Sequence, residues 1–268
     1  MTRLPLRLAP LAALGLALLA LPLAALLLRV PWETVPAALA RPEVKETLLL
    51  SVGTSLGAAV LAAALGLPLA AWLAGGAGPL RAAARLLVTL PIVLPPVVGG
   101  LALLLAFGRA GLVTAPLEVQ LPFTAAAVVL AQTFVALPFL VVASEAGLRA
   151  VDPRQLEAAR TLGASPWTLL VRVRLPLALP SLMAGLVLAW ARALGEFGAT
   201  ITFAGNLQGR TRTLPLALFA ALENDSELAL VLGAVLIALA AAVLVLLRGR
   251  WLPLGSTPRA FGSEERPG

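Results

Sequence analysis

The sequence contains no cysteine, histidine or tyrosine, and only 12% of its 268 residues are charged. These absences exclude metal sites built from histidine or thiolates, Ser-His-Asp and Cys-His nucleophiles, haem bound through histidine, and disulfides. By contrast, 60% of the residues are hydrophobic, and the mean hydropathy of +0.98 is well above that of ordinary globular proteins. The composition therefore predicts a membrane protein without catalytic or metal-binding side chains.

Six segments are long and apolar enough to span a bilayer, which takes about 20 residues. Five of them are free of charge, and the remaining one, residues 175–209, is interrupted by Arg192 and Glu196. The uncharged segments are residues 8–28, 47–80, 86–108, 119–144 and 228–247. We therefore predict an all-α membrane protein with six transmembrane helices. Residues 1–250 would form the transmembrane domain and residues 251–268 a cytoplasmic tail.

The first apolar segment has a second interpretation, a secretory signal. Arg3 and Arg7 precede it, and Ala38-Leu39-Ala40 resembles a cleavage site. However, the apolar run exceeds the about 7–15 residues of a signal core, and the Ala-Leu-Ala sequence lies far beyond its end. We therefore interpret the segment as a transmembrane helix.

The distribution of basic residues predicts the orientation. A net charge of +7 would suggest a nucleic-acid partner in a soluble protein, but in a membrane protein it marks cytoplasmic loops. With six spans and a cytoplasmic N terminus, 13 lysines and arginines fall on the inner side and 6 on the outer side. This bias favours both termini in the cytoplasm, and no nucleic-acid partner is expected.

Residues 145–176 form the one predicted cytoplasmic loop that is long enough to hold structure of its own. Asp152 is a favourable N-cap, Pro153 suits the first helical position, and Gln155 follows the cap at the spacing of a capping box. Gly163 is a natural end for this helix. Because a helix of about ten residues is marginal on its own, we expect it to pack against a partner.

Within this loop, Glu157-Ala158-Ala159 is followed at fixed spacing by Gly163, Val173 and Leu175-Pro176. The pattern resembles the "EAA" loop of importer permeases of the ATP-binding cassette (ABC) class, E-A-A-x3-G-x9-I-x-L-P, with valine in place of isoleucine. The resemblance implies an ABC type I importer-like fold with a short cytoplasmic coupling helix that docks on a separate ATPase. The residues implied in ATPase coupling are Glu157, Ala158, Ala159, Gly163, Leu175 and Pro176. The alternative is a loop helix that only lies on its own bundle.

The sequence also indicates that ATP is hydrolysed by another chain. A P-loop needs Gly-Lys followed by Ser or Thr, and the only lysine is Lys45, between Val44 and Glu46. We therefore expect a permease subunit that is not itself an enzyme and binds no cofactor, with ATP and Mg²⁺ on the partner subunit. Six spans are half of a usual transporter pore, so the resemblance implies a homodimer with two ABC ATPase subunits. The permease would lie in the inner membrane of a prokaryote, in contact with membrane lipid.

The end of the fifth predicted span reads Gly195-Glu196-Phe197-Gly198-Ala199-Thr200 and continues through Asn206 to Thr211-Arg212-Thr213-Leu214-Pro215. It is similar to the corresponding segment of molybdate/tungstate importer permeases, with Phe219 in place of their tyrosine. The resemblance implies an extracytoplasmic oxyanion-binding protein as a further partner. Sulfate/thiosulfate permeases share the first part of the segment, so a sulfate/thiosulfate importer is the alternative.

Five charged or polar residues near this segment are site candidates. Arg192 and Glu196 are four residues apart and would share a helix face that Thr200 continues. Because charges at membrane depth usually face a cavity or path, these three could line the translocation path or its gate. A buried ion pair that only holds helices together is the alternative. Arg210 and Arg212, at the predicted outer mouth, could attract an anion, bind acidic groups of the binding protein, or be merely solvated.

Three other kinds of protein share some of these features. A secondary transporter also needs several kinked spans, but it does not require the E-A-A loop. A Ser-His intramembrane protease would lack its histidine, and a paired-aspartate enzyme is disfavoured because Asp152 and Asp225 lie in predicted loops. A scaffold subunit is the third, and ATP-dependent transport would exclude it.

Overall fold

The computed structural model describes residues 8–248, and every regular element in this range is helical. The long helices are α1 (Ala9–Arg29), α3 (Pro42–Ala74), α6 (Ala125–Arg149), α9 (Leu175–Leu194) and α12 (Ser226–Arg248). The shorter helices are α2 (Val35–Ala40), α4 (Pro79–Val93), α5 (Pro96–Phe107), α7 (Pro153–Thr161), α8 (Pro166–Thr168), α10 (Gly198–Phe203) and α11 (Leu214–Asn224). The predicted tail, residues 251–268, lies outside the described residues.

Helices α3, α6 and α9 form the core of the bundle and pack through small side chains. Ala58 and Ala62 of α3 meet Ala136 of α6 and both Ala189 and Ala193 of α9 in one buried cluster. Lipid provides no hydrophobic drive for helix association, so small residues that allow close backbone approach stabilise such a core. The alanine-rich composition of these spans follows from this packing.

Two ends of the bundle are distinguished by their loops. At one end, here called the loop end, α3 and α6 finish next to residues 150–165, which contain α7. At the other end, here called the opposite end, Nη1 of Arg41 lies 3.3 Å from Oδ2 of Asp225. This contact joins the start of α3 to the start of α12.

The third predicted span, residues 86–108, is not one helix. Its place is taken by α4 and α5, which are bent by 119° at a short break at Leu94 and Pro95. Pro95 and Pro96 have no backbone N–H and disfavour helical geometry in the residue before them, so the helix cannot continue here. Within residues 8–248, five helices are long and apolar enough to cross a membrane, or six when the bent pair counts as one span. On that count the six-span prediction is confirmed.

The fifth predicted span also departs from one continuous helix. It begins earlier than predicted, because α8, a π-helical turn at Leu169–Arg174 and α9 follow one another without a break. It ends at Leu194, and α10 starts only after a gap of three residues. The prediction that Thr200 continues the helical face of Arg192 and Glu196 is therefore wrong in its geometry, since Thr200 belongs to the separate helix α10.

Helix α1 lies at the edge of the bundle. None of its residues from Ala9 to Arg29 is buried. It packs on α12, where Leu26 lies against Gly233. An apolar surface of this size needs to be covered by lipid or by another chain.

Candidate functional sites

The loop helix α7 begins and ends where the sequence predicts. Asp152 is the N-cap, and its Oδ1 accepts a 2.9 Å hydrogen bond from the backbone N–H of Arg154. Pro153 is the first helical residue. Gly163 has a φ of +80°, a left-handed conformation that glycine adopts without strain, and its N–H donates to the carbonyl of Arg160.

One side of α7 rests on the bundle and the other side is exposed. Leu156 packs against the buried cluster formed by α3, α6 and α9 at the loop end. Glu157, Ala158 and Gly163 are exposed, and Ala159 is half-buried. Four of the six predicted coupling residues therefore lie together at the tip of the loop.

Two large apolar side chains extend this exposed surface. Leu162 is 89% exposed and Trp167 is 73% exposed. Large apolar side chains grouped on a polar loop indicate a protein interface. Leu175 and Pro176 are not part of this surface, because they lie in the first turn of α9 and Leu175 packs against the core. These two residues of the predicted pattern therefore belong to the helix bundle and not to the exposed tip of the loop.

Two arginines that sequence reasoning missed hold the loop end together. Nε of Arg174 donates to the carbonyl of Leu148 at 2.9 Å, and Nη2 donates to the carbonyl of Ala74 at 3.1 Å. Nε of Arg85 lies 2.7 Å from Oε1 of Glu145. Positive charge at helix C termini is favourable, because the last carbonyls of a helix carry partial negative charge. Arg174 thus ties the start of α9 to the ends of α6 and α3.

Arg192 and Glu196 form an ion pair at the end of α9. Nη1 of Arg192 lies 2.7 Å from Oε2 of Glu196, whose side chain is 1% exposed. Oε1 of Glu196 accepts a 2.8 Å hydrogen bond from the N–H of Ala199 and so caps α10. The pair expected from the four-residue spacing is present. The same carboxylate fixes the break between α9 and α10 and holds the arginine.

Four fully buried, uncharged polar side chains have no hydrogen-bond partner within residues 8–248. They are the side-chain amide of Gln132 and the hydroxyls of Ser144, Thr200 and Thr213. An unpaired polar group in an apolar environment is costly, so these groups are candidates for contact with water or substrate. Gln132 was missed in the sequence, where its only signal is a polar residue inside the uncharged run 119–144.

At the opposite end, the loop between α10 and α11 contains both predicted mouth residues. Arg210 is exposed. Arg212 donates to Oδ1 of Asn206 at 2.9 Å and to Oε1 of Gln208 at 3.2 Å. It also lines a cavity of about 240 Å³ between α3, α11 and α12. Arg212 therefore holds its own loop, whereas Arg210 is exposed to whatever binds this end.

Asp225 caps α12 and has a shifted pKa. Its Oδ1 accepts a 3.0 Å hydrogen bond from the N–H of Leu228, and its Oδ2 lies 3.3 Å from Arg41. The N–H of Leu228 and the guanidinium of Arg41 hold the pKa of this carboxyl below its ordinary value. The carboxylate is therefore the stable form at neutral pH.

The sequence is similar to transport proteins over most of its length. The family described as "Binding-protein-dependent transport system inner membrane component" matches residues 66–252. The molybdenum transport system permease protein ModB of Mycobacterium tuberculosis is 48% identical over 248 residues, which are 91% of this chain and 94% of that protein. The Escherichia coli protein of the same name is 41% identical over 175 residues, 64% of this chain and 76% of that protein.

Solved structures share the arrangement of the helices. A crystal structure of a bacterial ABC transporter involved in the import of the acidic polysaccharide alginate has a TM-score of 0.67 at 16% identity, over 90% of this chain and 92% of that chain. The inward-facing MetNI methionine ABC transporter has a TM-score of 0.59 at 17% identity, over 75% of this chain and 91% of that chain. At these identities the likeness concerns the fold alone. It confirms the type I importer-like fold.

Proposed function

Because the chain belongs to the family of binding-protein-dependent transport system inner membrane components, we propose that it forms the membrane pore of a molybdate or tungstate importer. The main support for this substrate assignment is the 48% identity to a molybdenum transport permease over 91% of the chain. The segment from Gly195 to Phe219, with its resemblance to molybdate/tungstate permeases, supports the same substrate. A sulfate or thiosulfate importer is the alternative, because its permeases share the Gly195–Ala199 part.

A permease of this family works with a substrate-binding protein and with ABC ATPase subunits. We infer a homodimer, since residues 8–248 of one chain supply at most six spans, and two ATPase subunits that bind ATP and Mg²⁺. In this assembly the chain itself binds no cofactor and catalyses no reaction. The external partner is an oxyanion-binding protein, and membrane lipid covers the outer apolar surface, including α1.

The loop end faces the cytoplasm in this proposal. The seven arginines that lie on or beside the loop are Arg81, Arg85, Arg149, Arg154, Arg160, Arg172 and Arg174. Basic residues concentrate on the cytoplasmic side of membrane proteins. The opposite end, where Arg210 is exposed, then receives the binding protein. With the bent pair as one span, both termini are cytoplasmic.

Coupling to ATP hydrolysis runs through α7 in this proposal. Its exposed face offers the carboxylate of Glu157 and small side chains to the ATPase, and Leu162 and Trp167 add apolar area. Because α8, the π-helical turn and α9 are continuous, a movement of the loop passes directly into α9. Arg174 carries the same movement to the ends of α3 and α6.

Replacing Glu157 by lysine tests this coupling surface. Reversing the charge of an exposed docking residue removes a charged hydrogen bond to the ATPase, so uptake should fall by about tenfold or more. Gln155→Lys is the matched control, because Gln155 is exposed on the same short helix. Both variants are compared for oxyanion uptake and for the amount of ATPase that copurifies. Equal uptake by the two variants would contradict a docking role of Glu157.

The substrate is tested by competition in the complete complex. The chain is reconstituted with its ATPase and binding protein, and uptake of labelled molybdate is measured in the presence of excess tungstate or sulfate. We expect tungstate to abolish molybdate uptake and sulfate to leave it unchanged. Uptake of sulfate with no uptake of molybdate or tungstate would contradict the proposed substrate but still support an ATP-driven importer.

A further inference from the structure

The break between α4 and α5 leaves a cavity of about 110 Å³, which reaches the surface of the chain where Ile92, Pro95 and Pro96 are exposed. This is several times the about 30 Å³ that one water molecule occupies in the liquid. The cavity is lined by Pro91, Ile92, Leu94, Pro95, Pro96, Gly99, Phe134, Val135, Phe139 and Arg192. Among these, Arg192 is the one charged side chain. A cavity whose other lining residues are uncharged thus has a guanidinium in its wall.

The guanidinium of Arg192 has hydrogen-bond donors to spare. Its side chain is 30% exposed, and Nη1 is engaged by Glu196 at 2.7 Å. Within residues 8–248, its Nε and Nη2 make no hydrogen bond to protein. A guanidinium carries five N–H groups in a planar fork that matches the oxygen spacing of a tetrahedral oxyanion. Arg192, in the wall of the cavity, therefore has further donors suited to such an anion.

One wall of this cavity packs closely against α10 at two glycines. A Cβ on Gly198, at the start of α10, would lie 2.7 Å from the Cβ of Pro96. A Cβ on Gly100 would lie 2.6 Å from the Cβ of Thr202 and 3.0 Å from the Cα of Ala199. Helices α5 and α10 therefore pack backbone to backbone. The α4–α5 break therefore packs against α10, the helix whose N terminus is capped by Glu196.

The pairing of Arg192 with Glu196 suits a site that a doubly charged anion passes through. A dianion without a partner is costly at membrane depth, so a cation along its path lowers the barrier. A lone guanidinium would hold the anion too tightly, and conduction requires binding that is also weak enough to release. The carboxylate of Glu196 leaves the empty site neutral and competes with the anion for Arg192.

We propose that Arg192, in the cavity at the α4–α5 break, forms a transient intramembrane binding site for tetrahedral oxyanion dianions. The site rests on the proposed function, because it takes the transported anion as its ligand. It assigns Arg192 a contact with substrate and Glu196 the role of a competing counter-charge. The alternative, an ion pair that only holds helices together, predicts no anion binding in the cavity.

Cysteine labelling tests the site directly, since the chain contains no native cysteine. Ile92→Cys places a thiol in the cavity wall, and Ala220→Cys places one in the separate cavity at the opposite end. Both variants are purified with the ATPase subunits, without ATP or binding protein, and the rate of N-ethylmaleimide labelling of this chain is measured with and without tungstate. At ten times the Kd, tungstate should slow labelling at Ile92→Cys about tenfold and leave Ala220→Cys unchanged.

Changes to the ion pair decide whether Arg192 is responsible. The double substitution Arg192→Gln and Glu196→Gln, made in the Ile92→Cys variant, replaces the ion pair by two neutral side chains that can still hydrogen-bond. It should abolish the protection of Ile92→Cys by tungstate. Arg192→Lys keeps the positive charge but removes the planar fork of N–H donors, so it should weaken the protection of Ile92→Cys. It replaces the double variant if that variant does not assemble with the ATPase subunits. Labelling at Ile92→Cys that tungstate leaves unchanged, or protection that persists at full strength in both ion-pair variants, overturns the site.

Separate measurements test the Arg192 site and the proposed function. Uptake of molybdate or tungstate by the unmodified complex tests the function, whereas protection of the thiol needs neither ATP nor transport. Normal uptake without protection overturns the site alone. Protection without uptake supports the site and overturns the importer.

Discussion

Arg174 ties the start of α9 to two other helices, because it donates to carbonyls at the ends of both α3 and α6. Replacing it by glutamine should lower the free energy of unfolding by about 2 kcal/mol, since helix-end carbonyls lose a charged donor. The matched control is Arg172→Gln, an exposed arginine in the same π-helical turn. Thermal unfolding of the purified complex measures both. An equal, small effect of the two changes would show that Arg174 does not hold these helices.

Asp225 gives a pH dependence with a defined sign. Because its pKa in the folded protein is lowered, first by the N–H of Leu228 and then by Arg41, the carboxylate stabilises the fold above its ordinary pKa of 3.8. As the pH falls below that value and through the folded pKa, the stabilisation is lost. The thermal stability of the wild type should therefore exceed that of Asp225→Asn at neutral pH and approach it in acid. A difference that grows on acidification would contradict this role.

The polar contacts of three arginines show which contacts a sequence can predict. Arg192 and Glu196 are four residues apart, so local geometry alone suggests their contact, and the structure contains it. Arg85 and Glu145 are separated by 60 residues, and Arg174 and Ala74 by 100. No local periodicity links such positions, because only the packing of whole helices brings them together.

The positions of the spans are easier to predict from the sequence than the bounds and directions of the helices in them. Uncharged runs located the spans, and the caps Asp152 and Gly163 located α7, because both signals act over a few residues. The 119° bend between α4 and α5 was not predicted, although Pro95 and Pro96 mark its place. Proline in a spanning helix is common and often gives only a kink, so its presence does not fix the angle. The angle depends on what α5 packs against.

The contact between α5 and α10 is the element-level feature most open to test. Gly100→Ala should lower the free energy of unfolding by about 1–3 kcal/mol, because the new Cβ meets the backbone of Ala199 and cannot be accommodated cheaply. Gly53→Ala, in α3, is the control: nothing lies within 4 Å of its Cβ. That change should raise the free energy of unfolding by about 0.5–1 kcal/mol, since alanine favours a helix. Thermal unfolding that ranks the two variants in the reverse order would contradict the close packing.

The whole molecule has a division of roles between its two ends and its interior. The loop end carries the exposed α7 and seven arginines, the opposite end carries Arg210 and the capped start of α12, and Arg192 lies beside a cavity at the α4–α5 break. The motifs of the loop and of the Gly195–Phe219 segment predicted the family from sequence. They could not predict the cavity, because it arises where two broken helices meet in space.

The proposed function requires that ATP drives an oxyanion inward through this chain. Its most direct test is the initial rate of labelled molybdate entry into proteoliposomes that contain the complex, with the binding protein outside and ATP inside. We predict that entry requires hydrolysable ATP and is unchanged when ionophores collapse proton and sodium gradients. Entry that continues without ATP and follows an ion gradient would contradict the claim and indicate a secondary transporter.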